Sequence, residues 1–120
     1  MNLKSIAETL GLESLTPGLR ADGTDDIMGG YASDLLSDVL ANAPTGGLLL
    51  TLQVHMNVIA VAAHAGLAAV VFTSGMRPDE SVRLKAVKEG IPLLATPLST
   101  FDAAGRLYEL GLRGRKEPHH

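Results

Sequence analysis

No Asp, Glu, Lys or Arg occurs between Leu48 and Phe72. A run of that length is long enough to cross a bilayer. Its first half, however, reads "LLLTLQVHMN", with Thr51, Gln53, His55 and Asn57 interrupting the apolar residues at every second position. His64 and Gly66 follow. Uninterrupted spans do not place a polar cluster there, and a strand–helix–strand unit accounts for the pattern better. "GLLLTL" (Gly47 to Leu52) is a continuous apolar run of strand length. Met56 to Ala65 has helical composition and closes at Gly66. "AAVVFT" (Ala68 to Thr73) is a second buried strand. On this reading the polar seam marks a strand emerging into a turn.

Strands without polar alternation are buried on both faces, as in parallel sheets covered by helices. The composition fits such packing: Phe and Tyr number two each and Trp is absent, so Ala, Val, Leu and Ile fill the core. The remaining chain repeats the alternation. Asp26 to Gly30 reads as a short strand. Ser33 caps a helix with Leu35, Leu36, Val39 and Leu40 on one face, ending before Pro44. "RPDESVRLKAVKEG" is a helix with Pro78 in its first turn, acidic residues early, Lys85 and Lys88 late, and Gly90 at its end. "IPLLAT" is a further apolar strand. Ser99 then caps a last helix with Asp102 at the capping-box position and Phe101, Ala104, Leu107 and Tyr108 along its inner stripe. Ahead of all this, Leu3 to Leu10 forms a short amphipathic helix stopped by Gly11. The turn-rich "TPGLRADGTDD" leaves room only for short strands near Ser14 and Leu19. The expected fold is an α/β three-layer sandwich with a mostly parallel sheet and helices on both faces. One domain is expected over 1–112 with its core in 28–112, followed by a disordered tail over 113–120. Helix Met56–Ala65 is apolar nearly all round, which predicts a second cover and favours a homodimer.

Charge and composition exclude several functions. A net charge of −3 offers no footprint for nucleic acid. With no Cys there is no disulfide, thiolate catalysis or Cys-type zinc site. The start "MNLKSIAETLG" carries Glu8 where a signal peptide is apolar, so neither a signal peptide nor a membrane span is expected, and a cytoplasmic location is.

Ligands of open parallel sheets bind beyond the carboxyl ends of the strands, and polar residues collect there. The strand ends carry "GGYASD", "TLQVHMN", "TSGMRPD" and "TPLST". Gly29-Gly30 and Ser74-Gly75 permit close backbone approach, and helix N-termini favour anions. Neither GxxxxGK[ST] nor GxGxxG is present, and small residues at such turns are equally a structural requirement. His55 is the candidate for acid/base chemistry, with Asp34 or Asp38 to orient it, or else a turn-capping residue beside Gln53 and Asn57. His55 and His64 are too far apart for a shared metal, and no metal or other cofactor is expected. Ser33, Ser74 and Ser99 lack a GxSxG context. Arg77 can grip an anion or stand solvated before Pro78.

"GGYASDLLSDVLANA", "TLQVHMNVIAVA", "VVFTSGMRPDESV" and "EGIPLLATPLSTFDAAGRLYELG" together resemble the DRTGG domain family over about Met28 to Leu112. Where many members carry an Asp-Arg-Thr-type motif, this chain has "QVHMN", which is closer to the stand-alone subgroup. The resemblance implies a fold similar to the amino-terminal domain of HPr kinase/phosphorylase, without its kinase domain. It also implies a regulatory, dimerising module rather than an enzyme, an adenine nucleotide as the natural ligand, and a possible link to hydrogenase metabolism. The expected function is thus a non-catalytic regulatory module that binds a small anionic ligand and dimerises or docks onto a partner enzyme. The ligand-binding candidates are Gly30, Tyr31, Ser33, Gln53, His55, Asn57, Thr73, Ser74, Gly75, Thr96 and Ser99, with Tyr31 as a stacking surface. The alternatives are a small enzyme using His55, and a pure protein-interaction subunit.

Overall fold

The computed structural model describes residues 1–19 and 26–114. The elements in chain order are α1 (Leu3–Leu10), β1 (Glu13–Ser14), β2 (Gly30–Ala32), α2 (Leu36–Asn42), β3 (Leu48–Thr51), α3 (Asn57–Ala65), β4 (Ala69–Phe72), α4 (Glu80–Glu89), β5 (Leu93–Ala95) and α5 (Thr100–Glu109). They form a five-stranded sheet of order β1-β5-β4-β3-β2, in which β2 to β5 are parallel and β1 runs antiparallel to β5.

Side chains of successive strand residues enter opposite layers. Leu49, Val70, Phe72, Leu93 and Ala95 pack with Val39 of α2, Val58, Ile59 and Ala62 of α3, and Val82 and Ala86 of α4. Leu48, Leu50, Ala69, Val71 and Leu94 pack with Leu3 and Ile6 of α1 and with Ala103 and Leu107 of α5. Both sheet faces are therefore sealed by helices, which is why β3 and β4 are apolar at consecutive positions. The result is the three-layer α/β sandwich. The charge-free run is strand, helix and strand, and no described helix is long and apolar enough to cross a membrane.

The helix ends follow their sequence signals. Gly11, Gly66 and Gly90 close α1, α3 and α4 in the left-handed conformation. Asp79 caps α4 by accepting from Val82 N, and Ser99 caps α5 by accepting from Asp102 N.

Several expectations need correction. The strand expected at Asp26–Gly30 lies at Gly30–Ala32, while Asp26 only bridges to Asn2. Strand pairing decides this, because Gly30, Tyr31 and Ala32 are the residues opposite Leu48, Leu49 and Leu50. No strand forms at Leu19, whose N–H closes a turn onto Thr16 O. Pro78 precedes the α4 cap instead of occupying the first turn. Ser33 sits two residues before the α2 cap residue Leu35, and its Oγ accepts from Leu35 N. Leu35 and Leu40 are exposed, leaving Val39 as the buried anchor of α2. On α5 Ala104 and Leu107 pack inward as expected, joined by Ala103, whereas Phe101 is 86% and Tyr108 59% exposed. The mostly apolar α3 is central in its layer, flanked by α2 and α4, so much of its second cover comes from the same chain. Arg113, placed in the tail by the sequence, is attached to the sheet, its carbonyl accepting from Gly30 N at the β2 edge. The tail expectation for 115–120, and part of the turn-rich segment, lie outside the described residues.

Candidate functional site

The carboxyl ends of β2 to β5 open on one rim of the sheet, where loops turn into helices. After β3, the alternating polar residues form a staircase. Thr51 Oγ1 accepts from Gln53 N at 3.0 Å, Gln53 Oε1 from His55 N at 3.2 Å, and His55 Nδ1 from Asn57 N at 3.0 Å. Each polar side chain thus satisfies the backbone N–H two residues ahead, which accounts for their period of two. The seam carries the chain from a fully buried strand, with Thr51 at 0% exposure, to the exposed first residue of α3. Asp34, at the end of β2, anchors the start of this path by accepting from Thr51 Oγ1 at 2.9 Å and Leu52 N at 2.7 Å.

Those bonds define what His55 can do. Its Nδ1 lone pair is engaged by the first N–H of α3, so the neutral ring carries its proton on Nε2 and presents a donor there. A general base needs a lone pair facing the substrate, and this arrangement does not leave one. Neither proposed orienting carboxylate is bonded to the ring: Asp34 holds the β3 exit, and Asp38 is held by Tyr31 Oη at 2.8 Å and Asn42 Nδ2 at 2.9 Å. The side chain of Asn57 and the amide nitrogen of Gln53 lie outside the staircase bonds, beside the N-terminus of α3.

The exits of β4 and β5 are tied to each other. Thr73 to Met76 form a tight turn closed by Met76 N to Thr73 O, with Ser74 at φ 55° and Gly75 at φ 71°. Two left-handed residues in succession can present a pair of N–H groups to an anion. Here Ser74 N donates to Leu98 O at 2.7 Å and Gly75 N to Thr96 O at 3.0 Å, so the pair serves the neighbouring loop. Thr73 Oγ1 bonds Thr100 Oγ1 at 2.6 Å, and Thr96 Oγ1 accepts from Leu98 N at 3.2 Å. Buried Thr51, Thr73 and Thr96 therefore spend their hydroxyls on closing the strand ends.

The rim brings together Ser33, Gln53, His55, Asn57, Ser74, Gly75 and Ser99, with Thr73 and Thr96 beneath them. Gly30 is not part of it: it pairs with Leu48 at the opposite end of β2, and a Cβ there would stand 3.2 Å from Leu112 Cδ2. Tyr31 is half-buried against the core layer on the α2 side, its hydroxyl fastened to Asp38. Asn42, then the Ser33 and Tyr31 hydroxyls, hold the Asp38 carboxyl below the usual aspartate range. The same carboxylate raises the Tyr31 phenol above its ordinary value. Arg77 makes a two-pronged ion pair with Glu13, at 2.6 and 2.8 Å, across the β1 edge. That pair raises the arginine and lowers the glutamate, so the Arg77 guanidinium is already engaged by a carboxylate. Sequence reasoning gave Asp34 only a conditional role beside His55, because its partners Thr51 and Leu52 meet it only through strand pairing.

Residues 55–110 match the family model described as the DRTGG domain. No curated protein matches the chain. Among solved structures, the chain is similar to the CBS and DRTGG domains of the regulatory region of Clostridium perfringens pyrophosphatase, crystallised with the activator diadenosine tetraphosphate. The TM-score is 0.67 at 18% identity, covering 98% of this chain and 51% of that one, so this chain spans about half its length. The likeness places the two in one fold.

Proposed function

We propose, from the premise that this chain carries a DRTGG domain over residues 55–110, that it is a regulatory module which binds a small anionic ligand of the adenine-nucleotide class and works as a homodimer. The observation carrying this reading is the domain match, joined to a fold shared with a regulatory region whose activator is diadenosine tetraphosphate. The chemistry of the rim is compatible. Its Gln53 amide, His55 Nε2–H and Asn57 side chain are donors grouped at the N-terminus of α3, where the helix dipole favours negative charge. The general-base form of the enzyme alternative has less support, since the His55 Nδ1 lone pair is bonded to Asn57 N.

The test is calorimetric titration and thermal denaturation with AMP, ATP, diadenosine tetraphosphate and inorganic phosphate. A ligand that binds only the native state adds RT ln(1 + [L]/Kd) of stability, about 2.7 kcal/mol at a hundredfold excess over Kd. We expect a rise in Tm with at least one adenine nucleotide and a weaker rise in the Gln53→Ala and His55→Ala variants. No heat and no Tm shift with any of the nucleotides would sink the ligand half of the proposal.

A further inference from the structure

The outward face of α5 is built for a contact that the described chain does not make. Helical geometry puts Phe101, Gly105 and Tyr108 within about 60° of arc. Phe101 is 86% exposed and points away from the core of its own chain, while Tyr108, 59% exposed, carries the Arg113 guanidinium 3.6 Å from its ring centroid. Gly105 is mid-helix, where glycine is unfavourable by about 1 kcal/mol against alanine. Its φ is not left-handed, and a Cβ built on it meets nothing within 4 Å. Neither backbone conformation nor packing among the described residues therefore requires a glycine there. What it does create is a notch of ≈ 410 Å³, walled by Leu98, Phe101, Asp102, Arg106 and Glu109. The exposed Phe101 ring thus stands beside a notch with Leu98 and Gly105 among its lining residues and Asp102, Arg106 and Glu109 as charged walls.

We infer that a second copy of this chain occupies this surface, with α5 packing antiparallel on α5 about a two-fold axis at the level of Ala104 and Phe101 of each copy entering the notch between Gly105 and Glu109 of the other. The charges make this occupant specific. Reversal about Ala104 sets Asp102 opposite Arg106 of the second copy and Arg106 opposite its Asp102, giving two identical ion pairs. It also sets Glu109 against the N-terminal turn of the opposing α5, headed by Ser99, where the dipole welcomes an acid. In antiparallel pairs the same flank of each helix meets its symmetry mate, and this flank is complementary to its own reversal. A parallel arrangement would instead bring opposite flanks of the two helices together and leave Asp102 and Arg106 without these partners. The inference rests on the homodimer reading above and names its surface.

Sedimentation equilibrium on the full chain tests it. Wild type should dimerise, and Arg106→Glu and Asp102→Lys should each raise the dimer dissociation constant on the order of tenfold or more, because like charges then meet across the axis. Mixing those two variants in equal amounts should restore dimers as a heterodimer, since each now carries one sign on both positions. Gly105→Gln, which raises helix propensity while filling the notch, should also abolish pairing, so loss of the dimer is separable from loss of the fold. Wild-type-like dimers of Arg106→Glu and Gly105→Gln would overturn the α5 surface while leaving the homodimer reading standing on another face. The same holds if the mixture pairs no better than its components. A wild-type chain that stays monomeric at every concentration would remove the homodimer reading and this surface together.

Discussion

Thr51, Gln53 and His55 owe their spacing to backbone chemistry more than to any ligand, and Asn57 supplies the last N–H of the series. A chain leaving a sheet buried on both faces carries N–H groups that the ladder no longer satisfies, and each unsatisfied donor is expensive in a dry environment. Placing an acceptor two residues behind each one is a local solution. Ser99 serves an N–H three residues ahead, that of Asp102, as the cap of α5, and Ser99→Ala should lower stability by about 1 kcal/mol, read as a lower Tm with unchanged secondary structure. Asp38 gives a pH-dependent prediction. Its carboxyl titrates below the usual value of 3.8 because Asn42, Ser33 and Tyr31 hydrogen-bond the ionised form. A depressed carboxyl contributes fully above the unfolded-chain pKa and loses that contribution as pH falls through the lower folded value. Acid denaturation below about pH 4 should thus be less steep in Asp38→Asn than in wild type, measured by chemical denaturation at a series of pH values.

Helices α3 and α5 each contain a glycine that a sequence treats alike and a structure does not. Gly66 ends α3 at φ 68°, and a Cβ there would lie 3.1 Å from Thr45 Cγ2. Gly66→Ala should be destabilising by about 1–2 kcal/mol, the cost of a side chain in the left-handed region. Gly105→Ala, at an ordinary helical position with open space around it, should instead stabilise the isolated chain by up to about 1 kcal/mol. Urea denaturation at concentrations low enough to keep the chain monomeric distinguishes the two signs. The legibility of the elements follows the same division. Caps, turn glycines and apolar runs were readable because they are local: α1, α3 and α5 lie within a residue or two of their expected ends, and α4 starts at Glu80 but ends where Gly90 predicts. The position of β2 was not, because three residues become a strand only through pairing with Leu48 to Leu50.

Across the molecule, the sheet divides the core into two layers, and residues that fill either layer should be equally intolerant. Phe72, at 0% exposure between β4 and the α2–α4 layer, should lose about 3–5 kcal/mol on replacement by Ala. That is a large share of the 5–15 kcal/mol that holds a typical domain folded. The denaturation midpoint should fall with the m-value unchanged if the variant still unfolds in one step. The two proposals made above belong to this scale, each resting on a surface of the sandwich: the strand-end rim for the proposed ligand, and the outer face of α5 for the proposed second copy.

Periodicity, caps and the missing charges between Leu48 and Phe72 were enough to establish an α/β sandwich with a mostly parallel sheet, because those signals arise from burial and local hydrogen bonding. They also located Gln53, His55 and Asn57 at a strand exit. Other features depended on distant partners and had no local signature. Tyr31 is tied down by a carboxylate on the following helix, and the Ser74 and Gly75 N–H groups are consumed by Leu98 and Thr96. The direction of α5 was likewise invisible, since Phe101 and Tyr108 satisfy an apolar stripe as well as Ala103 and Leu107 do. Packing settled it: the small Ala103 allows α5 to lie close against the sheet, and the aromatic rings are turned outward.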